Sequence, residues 1–242
     1  MVPTQREARV AGLLYTLACA PAPFALIYVP RVLMVPGDAT ATADRVRASA
    51  SLLRMSIAGE LFNSILLIFA VLALYRLFKP VNAKLASAMA ALILISVPVG
   101  LLNIVNHIAP LILVSGANFL SAFPKSQLDT LTYLFLRLHS QGLLVAQIFW
   151  GLWLFPYGLL IIRSGFIPRW IGVSLYIAGA GYLASSCAAL FLPQVVRVVS
   201  QVSVVLAVAE FPIIVWLLIW GVKAKPSEAP VLSSREQATV AG

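Results

Sequence analysis

The feature that most constrains this chain is a series of six long apolar segments. They lie near residues 8–34, 52–78, 83–114, 128–163, 168–192 and 197–222. A crossing of the bilayer core needs about 20 apolar residues, so each segment is long enough to span it. Backbone amides in lipid must bond within their own segment, and the alternation typical of barrel strands is missing. The sequence therefore predicts an all-α, polytopic membrane bundle of six transmembrane helices.

Composition supports this prediction and excludes other classes of protein. The chain is 61% hydrophobic and 10% charged, whereas soluble domains carry roughly 25% charged residues. The lipid bilayer is thus the expected main partner. The net charge of +9 does not indicate a nucleic-acid surface, because the basic residues lie at the ends of apolar segments. Neither a Walker loop nor a dinucleotide fingerprint is present.

Basic residues also predict the orientation of the bundle. The side that is expected to be cytoplasmic carries Arg6, Arg9, Arg76, Lys79, Lys84, Arg163, Arg169, Lys223 and Lys225. With an even number of spans, both the N and C termini are then predicted to be cytoplasmic. On the other side, the polar loop 35–51 is expected to carry a short surface helix through 41–53.

The chain is expected to form one membrane domain with a tail. Residues 1–225 are predicted to be the six-span domain, and the polar segment 226–242 is predicted to be a disordered cytoplasmic tail. The first apolar run continues past Cys19 to Val35, so a retained span is favoured over a cleaved signal peptide. Cys19 and Cys187 both lie in apolar runs and are interpreted as packing residues.

Polar residues within the spans are where a function is most expected, because burying them without partners is costly. The candidate ligand-binding residues are Glu60, Asn63, Asn103, His107, Arg137, His139, Gln141 and Glu210. At 1.5 Å per residue, Glu60, Asn103 and His139 lie about 27, 30 and 36 Å from the cytoplasmic helix ends. Glu210 lies about 18 Å from its cytoplasmic end, near mid-membrane. This arrangement predicts a polar cavity open to the non-cytoplasmic side, with Glu210 as its floor.

The favoured interpretation of these residues is structural or passive. Glu60 is expected to form an ion pair with Arg137, and Asn63 and Asn103 to form hydrogen bonds between helices. Glu210 is expected to be neutral and bonded to a backbone carbonyl or an amide. The first hypothesis is therefore a non-enzymatic membrane protein whose outward-facing cavity binds a small or amphipathic ligand, or a partner subunit.

Two alternatives stay open. In one, Glu60, His139 and Glu210, with His107 as a further candidate, form the site of a membrane-embedded, metal-dependent hydrolase. The chain has no His-Glu-x-x-His motif, and these four residues lie on different spans, so no metal or cofactor is assigned. The other alternative is a small transporter that acts as a homo-oligomer. Six spans without a visible inverted repeat argue against a transporter, but a homodimer would supply the missing half.

Three stretches of the sequence are distinctive: Arg9-Val-Ala-Gly-Leu-Leu-Tyr, Phe149-Trp-Gly-Leu-Trp-Leu-Phe-Pro-Tyr-Gly and Arg163-Ser-Gly-Phe-Ile-Pro-Arg-Trp-Ile-Gly. They resemble a bacterial membrane family catalogued as domain of unknown function 4386. The likeness covers about residues 6–222. It implies a six-span, multi-pass protein of the bacterial cytoplasmic (inner) membrane. It implies no activity, so whether the protein is an enzyme stays open.

Overall fold

A computed structural model of the protein describes residues 4–192 and 194–222, and every regular element in these ranges is helical. The α-helices are α1 Gln5–Cys19, α2 Val29–Leu33, α3 Ala39–Ala48, α4 Ala50–Phe78, α5 Ala83–Leu113, α6 Lys125–Leu152, α7 Leu154–Ser164, α8 Arg169–Phe191, α9 Val196–Ala207 and α10 Phe211–Ile219. A π-helical segment, Pro23–Tyr28, joins α1 to α2, and short 3-10 turns cover Asn118–Leu120 and Val208–Glu210.

The prediction of six transmembrane helices is confirmed. The helices long and apolar enough to span a membrane are Gln5–Leu33, Ala50–Phe78, Ala83–Leu113, Lys125–Ser164, Arg169–Phe191 and Gln201–Ile219. Many large apolar side chains on their outer faces are exposed, as expected for surfaces that lipid covers. The predicted tail 226–242 lies outside the described residues.

The start of the first span lies beside the end of the last span. The backbone N–H of Val222 donates a hydrogen bond to Oε1 of Gln5 at 3.2 Å. This end of the bundle is called the terminal end here. The opposite end, called the far end, carries α3 and the connection between α5 and α6.

The predicted surface helix is present, but its boundaries differ from the expected 41–53. It begins after Asp38, whose carboxylate accepts a hydrogen bond from the N–H of Ala41 at 2.8 Å. It ends at Ala48 because Ser49 leaves the helical conformation, with φ −128° and ψ 38°. The second span, α4, then begins immediately at Ala50.

Proline residues account for the breaks within the spans. A proline lacks the N–H that would bond the carbonyl four residues earlier, and its ring crowds that carbonyl. Pro156 lies four residues after Leu152, where α6 ends. Pro212 lies four residues after Val208, where the helix tightens into a 3-10 turn. The last span is therefore irregular at Glu210, in its middle.

Two apolar clusters hold the helices together, with a polar layer between them. The larger cluster occupies the half nearer the terminal end, and its largest side chains include Tyr15, Leu74, Phe78, Met89, Tyr157 and Leu160. The smaller cluster lies near the far end and consists of Val29, Leu33, Val46, Leu53 and Leu136. Along α4, Glu60 falls between Leu53 of the smaller cluster and Ala70 of the larger one.

Close helix packing depends on glycine where α7 meets α8. A Cβ atom on Gly158 would lie 2.6 Å from the carbonyl oxygen of Gly172, and a Cβ on Gly172 would lie equally close to the carbonyl oxygen of Gly158. Small residues at such a crossing let two backbones approach in a membrane, where packing rather than water exclusion drives association.

Candidate functional site

A buried carboxylate and two buried imidazoles meet in the polar layer. Glu60 on α4 places Oε1 3.0 Å from Nδ1 of His107 on α5, and Oε2 2.9 Å from Nε2 of His139 on α6. The side chains of Glu60, His107 and His139 are 11%, 4% and 3% exposed. Three spans therefore bring three ionisable groups together. Burial of any one of these groups without the other two would cost free energy.

The geometry of this cluster matches a set of metal ligands. One ligand atom from each of Glu60, His107 and His139 lies within 4.8 Å of the others. The two imidazole rings stack with their centroids 3.3 Å apart and an interplanar angle of 17°. Imidazole nitrogen and carboxylate oxygen are typical zinc donors, and three protein ligands with one open position are typical of catalytic zinc sites.

One nitrogen of the cluster is left without a hydrogen bond. Nδ1 of His107 lies 3.0 Å from Oε1 of Glu60 as an ion-pair contact, but it has no hydrogen-bond partner of normal geometry among the described residues. A buried polar atom in this state costs free energy comparable to a lost hydrogen bond. A cation bound between the three side chains would satisfy this nitrogen through its lone pair.

Neighbouring groups hold the three side chains in place. Oγ of Ser56, one helical turn before Glu60, lies 3.3 Å from Oε1 of Glu60. Nδ2 of Asn103 donates a hydrogen bond to the backbone carbonyl of His139 at 2.9 Å, and Oδ1 of Asn103 accepts one from Asn106 at 3.0 Å. Asn103 thus ties α5 to α6 beside both histidines.

Gly142 makes room for this asparagine. A Cβ atom on Gly142 would lie 2.0 Å from Oδ1 and 2.4 Å from Cγ of Asn103. Any larger residue at this position on α6 would force the Asn103 side chain away. The role of Gly142 is not apparent from the protein sequence. The sequence shows only a glycine in the middle of a predicted helix, one turn after His139.

A small cavity adjoins the cluster on its far-end side. Its volume is about 10 Å³, close to the smallest space that holds one water molecule. The lining residues are Val29, Pro30, Leu33, Met34, Leu53, His107, Leu136 and Ser140. The cavity gives His107 an open side, but only for a ligand the size of water.

Helix α3 covers this part of the bundle and is held by a network of charges. Asp129 on α6 is buried and forms ion pairs with Arg47 of α3 and, at 2.9 Å, with Lys125. Asp44 of α3 pairs with Arg47 at 2.6 Å and with Lys125 at 3.3 Å. Val46, on the same helix, packs into the smaller apolar cluster.

The other predicted site residues lie outside the cluster. Nδ2 of Asn63 donates to the carbonyl of Ala18 at 2.7 Å, joining α4 to α1. Arg137 and Gln141 are exposed on α6. Within the described residues Glu60 forms its ion pairs with the two histidines and none with Arg137.

Glu210 is held by a different set of residues. Its carboxylate accepts hydrogen bonds from the hydroxyl groups of Tyr15 on α1 and Tyr182 on α8, the latter at 3.1 Å. These partners are side-chain hydroxyls rather than the backbone carbonyl or amide expected from the sequence. The tyrosines lie far from Glu210 along the chain, and only helix packing reveals the association.

These observations define a multi-pass helical membrane protein with a buried polar layer. The chain belongs to the family described as domain of unknown function DUF4386, which matches residues 10–221 and confirms the family expected from the sequence. It is also similar to an uncharacterised protein of Archaeoglobus fulgidus, with 30% identity over 128 residues. That similarity covers 53% of this chain and 63% of the relative, which is less than two thirds of its length. No solved structure matches the chain.

Proposed function

We propose that this protein binds a divalent transition-metal ion, with zinc the best fit, between Glu60, His107 and His139. The observation that carries the proposal is the convergence of three ligand atoms from three spans within 4.8 Å. Two ligands about 2.0–2.1 Å from a tetrahedral zinc ion lie roughly 3.3 Å apart. Nδ1 of His107 lies 3.0 Å from Oε1 of Glu60, and Nε2 of His139 lies 2.9 Å from Oε2, so each imidazole is near this spacing from one oxygen of the carboxylate.

The sequence predicted a polar cavity that binds a ligand. On this proposal, the ligand is the metal ion together with one water molecule. A cavity of about 10 Å³ has no space for an amphipathic molecule while α2 lines it. Binding of a larger ligand or of a partner subunit at this site would require displacement of a lining helix such as α2.

A specific observation also favours metal-dependent hydrolysis as a second candidate function. Three protein ligands leave one position for a water molecule, and the cavity beside His107 is of that size. A zinc ion lowers the pKa of such a water to about 7 and so generates a nucleophile at neutral pH. A substrate would have to enter through the same apolar walls that enclose the water.

The experiment that tests the proposal is elemental analysis of the protein, purified in detergent with its affinity tag removed. We expect close to one zinc ion per chain in the unmodified protein and a loss of that zinc in His139→Ala. Cys187→Ser is the matched control, because Cys187 is exposed and is a potential adventitious ligand. Zinc that persists in His139→Ala, or that disappears in Cys187→Ser, would exclude the proposed site.

We further propose that the protein lies in the cytoplasmic membrane of a bacterium with both termini in the cytoplasm. The support is the contact between Gln5 and Val222, together with Arg76 and Lys79 at the same end of the bundle.

Fusions to alkaline phosphatase, which is active only outside the cytoplasm, test this orientation. The enzyme is fused either after Val222 or within the 114–124 connection. We expect activity only from the second fusion, and activity from the first would exclude this orientation.

A further inference from the structure

A second, part-buried carboxylate lies in the middle of the membrane, apart from Glu60, His107 and His139. Glu210 occupies the centre of the last span, Gln201–Ile219, where the helix is tightened into a 3-10 turn. Its two carboxylate oxygens accept hydrogen bonds from Tyr15 and Tyr182, so the group joins the first, fifth and sixth spans. Tyr15 is almost fully buried, and lipid rather than water surrounds the span at this depth.

No positive charge among the described side chains compensates this carboxylate. The titratable groups that face it are Tyr15 and Cys19 from α1, Tyr157 from α7 and Tyr182 from α8, and all are uncharged at neutral pH. Among the described side chains, which do not include that of Arg197, no lysine, arginine or histidine forms an ion pair with Glu210. Glu60 differs, because two histidines face it. An uncompensated carboxylate in the bilayer centre is strongly disfavoured.

Aromatic rings enclose the group on the side of the larger apolar cluster. Trp153 contacts Tyr15 edge to face at a centroid distance of 5.8 Å and stacks on Tyr157 at 5.2 Å. The hydroxyl group of Tyr157 is buried and has no hydrogen-bond partner among the described residues. The described side chains around Glu210 thus include hydroxyl groups but no counter-ion.

We propose that Glu210 is a proton-binding site, which holds a proton at neutral pH and shares it with Tyr15 and Tyr182. In the protonated state, the acid O–H donates to one tyrosine oxygen, and the other tyrosine hydroxyl donates to the remaining carboxyl oxygen. Release of the proton leaves a charge that only entering water or a cation can compensate. The site does not depend on the proposed metal binding, because none of its groups contacts Glu60, His107 or His139.

Infrared spectroscopy of the full-length, chelator-treated protein in lipid tests this assignment. A protonated carboxyl group gives a C=O stretching band that is separate from the bands of carboxylates and amides. We expect this band in the unmodified protein at neutral pH and its loss in Glu210→Gln. Glu7→Gln is the matched control, because Glu7 is exposed at the start of α1, and this variant should retain the band.

A second variant keeps the test decisive if Glu210→Gln fails to fold. Tyr182→Phe retains the carboxyl group but removes one hydrogen-bond partner, so we expect the band to shift to higher wavenumber. The proposal is overturned if the unmodified protein shows no such band at neutral pH, or if the band survives in folded Glu210→Gln. Loss of the band in Glu60→Gln instead, or no shift in Tyr182→Phe, would overturn it equally.

Discussion

His107 and His139 stack face to face across the interface between α5 and α6, with ring centroids 3.3 Å apart. Each ring presents a nitrogen to the same carboxylate, that of Glu60. Two positively charged rings in such contact would repel one another, and the negative charge of Glu60 beside both nitrogens would offset part of that repulsion. On our proposal, a metal ion bound by all three side chains completes the set.

Removal of that negative charge should abolish metal binding without unfolding the protein. Glu60→Gln keeps the size of the side chain, so the helices should still pack, but a neutral amide is a poor zinc ligand. Loss of a group that only supports a ligand lowers metal affinity by up to ~100-fold. Loss of the Glu60 carboxylate, which is itself a proposed ligand, should lower zinc affinity by more than that. Competition with a chelating dye measures this change, with exposed Glu7→Gln as the control. Equal affinities in the two variants would contradict the assignment of Glu60.

Displacement of Asn103 should weaken zinc binding indirectly. In Gly142→Ala the new methyl group would lie 2.0 Å from Oδ1 of Asn103, so this side chain must leave the carbonyl of His139. Loss of such a supporting contact typically reduces metal affinity by about 10- to 100-fold. Gly100→Ala on α5 is the control, because a Cβ there has no neighbour within 4 Å. The same titration should show normal affinity in the control, and a similar loss in both variants would contradict the prediction.

The sequence was sufficient for the membrane architecture because hydrophobic length is a local property. Each span could be recognised from its own composition, without knowledge of its neighbours. The breaks near Pro156 and Pro212 are likewise local, since each follows from one missing N–H.

The partners of the polar residues could not be derived in the same way, because they depend on the rotation and packing of whole helices. The sequence suggested Arg137 as the partner of Glu60, whereas packing brings His107 and His139 to it. Glu210 was expected to share a cavity with Glu60, yet the structure places it beside Tyr15 and Tyr182. Helical periodicity assigns a residue to a face but does not determine which helix that face contacts.

Zinc should stabilise the folded protein in detergent. A ligand that binds only the folded state at 100 times its dissociation constant raises the free energy of unfolding by about 2.7 kcal/mol. We therefore expect a higher unfolding temperature with zinc than with a chelator, measured by circular dichroism. His107→Ala should show no difference between these conditions. An equal increase in this variant would mean that zinc binds elsewhere.

The attachment of α3 should depend on the buried carboxylate of Asp129. Asp129→Asn weakens its ion pairs with Arg47 and Lys125, and hydrogen bonds to charged groups are each worth about 1.5–3 kcal/mol. We expect faster hydrogen exchange across Ala39–Ala48, with little change in the spans. Asp44→Asn is the control, because Asp44 is largely exposed and surface pairs contribute about 0–1 kcal/mol. Identical exchange in both variants would contradict this role for Asp129.

X-ray absorption at the zinc edge tests the central claim most directly, because it reports the atoms that bind the metal. The zinc-loaded protein should show only nitrogen and oxygen ligands, at about 2.0–2.2 Å. Scattering from two imidazole rings, those of His107 and His139, should be present. A sulfur ligand at about 2.3 Å, or no imidazole scattering, would contradict a zinc site at Glu60, His107 and His139.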